Sequence, residues 1–191
     1  MKNHFFAYIS RMRYIPRWTL MRNSFPENVQ EHSHMVAVLA HALAVIRNEV
    51  FGGQIDAGQV AVCALYHDAP EIITGDMPTP IKYYNPEIKR SYRAVERVAA
   101  DRLLSLLPEE LEASYRPVLH GTDGEIRRLV KAADKLSAYI KCLEELKAGN
   151  AEFRLAAEQT RAALDAMALP ELDWFMERCL DSFSMTLDEL E

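Results

Sequence analysis

Apolar residues recur at three- and four-residue spacing through nearly the whole chain, and alternating runs rich in β-branched side chains are few. This pattern predicts an all-α bundle. Helix-start chemistry agrees: Asn28 stands three residues before Glu31, Asp56 before Gln59 and Thr122 before Glu125, each a capping spacing, and Pro86 and Pro108 occupy first-turn positions. The predicted helices run Phe5 to Arg13, Val29 to Val50, Ala57 to Ile73, Pro86 to Leu106, Pro108 to Leu119, Asp123 to Lys147, Glu152 to Ala168 and Glu171 to Phe183. Between the third and fourth lies Thr74 to Asn85, an irregular stretch that carries Gly75, Pro78 and Pro80. Prolines lose little freedom on binding, so this loop is suited to hold contacts over a site at the end of the preceding helix.

Polar residues that interrupt the apolar pattern locate the chemistry. His67 and Asp68 close the apolar run Val60-Ala61-Val62-Cys63-Ala64-Leu65-Tyr66, and Glu71 follows at helical spacing. On a continuous helix these three project within about 100° of one another. A buried carboxylate is unfavourable unless it is paired, hydrogen-bonded or metal-bound, and a divalent cation satisfies His67 and Asp68 together. A metal-free, hydrogen-bonded core pair is the competing reading. Further ligands are available in His32, in the first turns after Asn28, and in Asp134. The latter borders the apolar face of Ile126, Leu129, Val130, Ala133, Ser137 and Ile140. Two imidazoles and two carboxylates leave coordination positions open and suit Mn, Co, Fe, Ni, Cu or Zn. His34 and His41 read as packing or supporting residues rather than ligands.

At 191 residues the chain is long enough for one well-buried core and short for two, so residues 1–191 are expected to form a single domain. A net charge of −6 argues against a nucleic-acid polymer as partner, though not against a small phosphorylated substrate held by local cations. Cys63, Cys142 and Cys179 are odd in number and widely spaced, which points to reduced thiols in a cytoplasmic protein. The N-terminal apolar run is too short for a signal peptide, and no segment is expected to reach the roughly 20 apolar residues of a membrane span.

The ordered set Arg17-Trp18, Glu31-His32-Ser33, Tyr66-His67-Asp68-Ala69-Pro70-Glu71, Thr74-Gly75-Asp76-Met77-Pro78-Thr79-Pro80 and Lys141-Cys142-Leu143-Glu144-Glu145-Leu146 resembles the HD-domain metal-dependent phosphohydrolases, and among them the bacterial 5'-deoxynucleotidases of the YfbR type. The likeness covers nearly the whole chain. It implies an HD-type helical bundle in which His32, His67, Asp68 and Asp134 bind one divalent transition metal, with Co, Mn or Cu expected ahead of Zn, Fe or Ni. It implies deoxyribonucleoside 5'-monophosphates as substrates, hydrolysed by a metal-activated water, and a homodimer.

Glu71, outside the ligand set, is assigned general acid/base work. Arg17 would orient the phosphate, Trp18 would contact sugar or base, and Asp68 would meet substrate as well as metal. Asp76, Met77, Pro78 and Thr79 match the family's nucleotide-contacting loop, with Asp76 accepting from a sugar hydroxyl; Met77 replaces the family's usual leucine. Two alternatives stand beside this reading: an HD phosphohydrolase for another nucleotide, and a non-catalytic helical binding protein with a structural metal. The segment with Leu172, Trp174, Phe175 and Met176 could form a dimer interface or cover the chain's own core.

Overall fold

A computed structural model describes residues 3–82, 84–121 and 124–190. Asn28 and Asp56 cap their helices as their spacing predicts: the Asn28 side chain accepts from the backbone N–H of Gln30 and Glu31, and Asp56 accepts from Gln59. Thr122 and Asp123 lie outside the described residues. In chain order the helices are α1 (Phe5–Ile9), α2 (Val29–Phe51), α3 (Ala57–Leu65), α4 (Glu71–Thr74), α5 (Thr79–Lys82), α6 (Pro86–Leu104), α7 (Glu109–His120), α8 (Glu125–Lys147), α9 (Arg154–Asp165) and α10 (Pro170–Arg178). Among the described residues there is no strand, only an isolated antiparallel bridge between Pro16 and Asn28.

Most departures from the predicted boundaries are tightened ends. The first predicted helix becomes 3₁₀ from Ser10 to Tyr14, the Glu152 start is a 3₁₀ turn over Ala151–Phe153, and the last helix stops at Arg178 before another 3₁₀ turn, Asp181–Ser184. Pro108 caps α7 rather than opening it, and a four-residue helix, α5, forms inside the predicted irregular loop.

One correction bears on the site. The predicted Ala57–Ile73 helix is broken: α3 ends at Leu65, residues 66–70 form turns, and α4 begins at Glu71. Pro70 is the cause, since it has no N–H to donate to the Tyr66 carbonyl and its ring would clash there. His67, Asp68 and Glu71 therefore converge through a turn, not along one helix face.

The long α2 is the central element. It packs on α3, α8 and α10, with Val36, Leu39, Ala40, Leu43 and Ala44 buried in a core completed by Leu129, Leu136, Leu164 and Leu172. By length and composition α2 could cross a bilayer, which corrects the expectation that no segment would; here that apolarity serves the core. Leu172, Phe175 and Met176 are buried in the same core and Trp174 packs against it, so this segment covers the chain's own interior. His34 and His41 are exposed, so neither packs in the core nor supports the site. A second cluster joins Phe5 of α1 to Leu103 and Leu104 of α6 and to Leu119 of α7.

Candidate functional site

Two facing helices and one turn bring the singled-out residues together. His32, in the first turn of α2, is fully buried, and its Nε2 lies 3.1 Å from Asp134 Oδ1 of α8 and 3.7 Å from Asp68 Oδ2. His67 Nε2 is 3.1 Å from Asp68 Oδ2 and 3.9 Å from Asp134 Oδ1. Ligand atoms of His32, His67 and Asp68 all lie within 4.8 Å of one another, and Asp134 faces both imidazoles.

The hydrogen bonds behind the rings favour a cation between them. His67 Nδ1 donates to the Ala64 carbonyl at 2.7 Å, which leaves a lone pair on Nε2. That Nε2 is buried and has no hydrogen-bond partner despite the nearby carboxylates. His32 Nδ1 is engaged by Ser137 Oγ at 3.2 Å, so its Nε2 likewise faces the carboxylates. An unpartnered imidazole nitrogen, a second one held by its far side and two carboxylate oxygens make a mixed N/O donor set that fits a divalent transition metal. Burial lowers the His67 pKa, but Asp68 and Asp134 outweigh it and raise the pKa well above the usual value. Burial likewise disfavours the Asp134 carboxylate, and the two imidazoles reverse this and hold it well below its usual range.

Arg17 reaches the centre from the other side. Its Nη1 is 3.5 Å from Asp68 Oδ2, while its Nε donates to Glu27 Oε2 at 3.0 Å. The segment is pinned by backbone bonds from Arg17 to Glu27 and from Val29 to Ile15, which tie it to the start of α2. Trp18 adopts φ +58°, a left-handed conformation costly for a bulky side chain, with its ring 5.3 Å from that of Phe153. Glu27 was not apparent from the sequence, where an acidic residue just before a helix reads as a solvated one.

Glu71 opens α4 and is 4% exposed. Burial and then the charges of Asp68 and Asp76 push its pKa up to about 9, so it is protonated at neutral pH. Its Oε2 has no hydrogen-bond partner. Asp76 follows α4, close enough for Arg17, Asp68 and Lys82 to act on it electrostatically. Met77 and Pro78 are half-buried in the link to α5; the Thr79 side chain lies outside the described residues. His67, Asp68, Glu71 and Asp134 line a cavity of about 650 Å³ that extends between α6, α7 and α8.

Comparison with known proteins agrees with this geometry. A family model described as 5'-deoxynucleotidase YfbR-like matches residues 4–183. The 5'-deoxynucleotidase YfbR of Shigella boydii serotype 18 is 50% identical over 191 residues, covering 99% of this chain and 96% of that protein. Among solved structures, an HD-domain phosphohydrolase from Listeria innocua superimposes with a TM-score of 0.80 at 22% identity, covering 96% of this chain and 90% of that one. The cyanophage S-2L HD phosphohydrolase DatZ, bound to dA and one catalytic Zn²⁺, gives 0.64 at 24% identity over 92% and 96% of the two chains. At these identities the two structures establish the shared HD-type helical fold.

Proposed function

The chain belongs to the 5'-deoxynucleotidase YfbR-like family, and from that membership we propose that it hydrolyses deoxyribonucleoside 5'-monophosphates to deoxyribonucleosides and phosphate in a metal-dependent reaction. The observation that most supports it is the convergence of His32, His67, Asp68 and Asp134 on one point, with Arg17 and Glu71 beside it.

His32, His67, Asp68 and Asp134 would hold one divalent ion, Co, Mn or Cu ahead of Zn, Fe or Ni. When bound, such an ion supplies Lewis acidity toward the phosphoryl group and lowers the pKa of water. Arg17 offers the forked cation that fixes a phosphate, and the Trp18 ring offers a surface for the sugar or base. Asp68 meets both metal and substrate, Asp76 accepts from a sugar hydroxyl, and Met77, Pro78 and Thr79 contact the nucleotide. As water's oxygen bonds to phosphorus and the P–O5' bond breaks, the protonated Glu71 gives its proton to O5', and the proton released from the attacking water then returns to the Glu71 carboxylate.

The same reading includes one domain over residues 1–191, a cytoplasmic location and a homodimer. A solution mass of twice the chain supports the dimer, and a single-chain mass overturns it.

The decisive experiment is phosphate release from dAMP and AMP by chelator-stripped protein, with and without added Co or Mn, alongside His67→Ala. Metal-restored release favouring dAMP, absent in the variant, is expected. Metal binding with no release from either nucleotide would overturn the proposal.

A further inference from the structure

The cavity that begins at the metal centre runs away from it between two basic rows. Lys89, Arg93 and Arg97 stand at four-residue spacing on α6, and Arg127, Lys131 and Lys135 at the same spacing on α8; all six line the cavity. Four-residue spacing puts each row on one helix face, about 12 Å from first residue to last. Outside the metal centre and Glu71, the one carboxylate in the lining among the described residues is Glu96, and it is engaged by Lys82 at 2.9 Å. Burial and then the charges of Arg127, Arg93, Lys89 and Lys135 push the Lys131 amine below its usual range, so cations of both rows act on it.

Such an arrangement needs a reason. Like charges four residues apart destabilise a helix, and each row contains two such pairs. The chain carries 28 acidic against 22 basic side chains, so the cluster does not follow from overall composition. Clustered cations along a low-dielectric wall concentrate anions locally. One phosphate is served by two or three donors; two rows of three cations around one cavity supply enough donors for a chain of phosphates.

We propose that the groove between α6 and α8 is a second anion site, distinct from the Arg17 position, that takes a phosphate chain, either free or as the tail of a nucleoside triphosphate. This goes beyond the deoxynucleotidase reading and does not rest on it, because binding is measured without turnover.

The test is calorimetric titration of the full chain as purified with inorganic tripolyphosphate, orthophosphate and dATP at low ionic strength, with metal content measured before and after to detect stripping. Arg93→Glu/Lys131→Glu removes one cation from each row. Arg90→Glu/Arg128→Glu makes the same charge change on the same helices outside the cavity lining. Circular dichroism and thermal melting verify that both variants are folded. Tripolyphosphate is expected to bind the parent and the Arg90/Arg128 variant alike, at least tenfold more weakly to the Arg93/Lys131 variant, and orthophosphate more weakly throughout. Equal binding of dATP and tripolyphosphate assigns the site to the phosphate chain alone, and tighter binding of dATP assigns it to a nucleoside triphosphate. Absence of binding to the parent, equal losses in the two variants, or orthophosphate as tight as tripolyphosphate would overturn the proposal.

Discussion

Trp18 Nε1 donates to Glu27 Oε2 at 2.9 Å, and that same oxygen accepts from Arg17 Nε. One carboxylate thus fixes the orientation of both side chains proposed to meet substrate, and it helps to hold Trp18 in a left-handed backbone conformation. Hydrogen bonds to a charged group contribute about 1.5–3 kcal/mol each. Glu27→Ala is therefore expected to lower kcat/KM for dAMP by about 10- to 100-fold, mainly through KM, and to change tryptophan emission. Glu27→Gln, which keeps an acceptor, should recover part of the loss. Steady-state kinetics on the three proteins checks this; an unchanged KM in the alanine variant refutes it.

Glu71 gives the reaction a direction in pH. Its pKa is pushed up to about 9 by burial and by Asp68 and Asp76, so the proton-donating form predominates at neutral pH and is lost as pH rises. A cation held by Asp68 and Asp134 draws that value downward, which places the alkaline fall in kcat at or below about pH 9. Glu71→Gln cannot donate a proton from a carboxyl, and kcat should drop by about 10²- to 10⁴-fold with the alkaline limb abolished. A pH–rate profile that keeps its alkaline limb in this variant would assign the limb to another group.

Metal uptake should compete with protons at His67. Its pKa in the metal-free centre is raised well above the usual value, because Asp68 and Asp134 outweigh burial. A ligating imidazole must be neutral, so binding expels that proton. Affinity for Co or Mn should fall by about tenfold for each unit the pH drops below the His67 pKa, measured by competition with a chelator. His67→Ala should bind metal more weakly and lose this pH dependence. A parent affinity that stays constant between pH 8 and 6 would count against protonation of His67.

Much of this was legible because polar groups interrupt an apolar helical pattern. Asn28 and Asp56 marked helix starts through capping chemistry that is local in sequence. His32, Asp68 and Asp134 stood out as titratable residues on or beside apolar faces. The break before Glu71 was visible in Pro70 but was outweighed by the apolar run before it. Glu27 was not legible, because its partners are Arg17 and Trp18, about ten residues upstream across a loop with no periodicity. Lys141 and Glu145 were quoted only as family flanks, although their burial had a signal: they continue the four-residue row Leu129, Ala133, Ser137 that forms the buried face of α8. A Lys–Glu pair at this spacing ordinarily reads as solvated.

That buried pair predicts how acid unfolds the protein. Glu145 is fully buried, paired with Lys141, and accepts from the backbone N–H of Ser24 and Phe25 and from Asn150 Nδ2. Burial alone would raise its pKa; the bonds from Lys141, Asn150 and the two backbone groups reverse this and hold it far below the ordinary value. A carboxylate depressed on folding stabilises the native state fully above its unfolded pKa of about 4.3, and that contribution is lost as pH falls from there toward the folded value. Glu145→Gln leaves Lys141 buried and unpaired, at a cost of about 3–5 kcal/mol near neutral pH. Urea unfolding at pH 7 and pH 3 measures both effects. The variant should lose most at pH 7 and lie closer to the parent at pH 3 by about 2 kcal/mol, whereas an equal gap at the two pH values would mean that the Glu145 charge is not what the fold depends on.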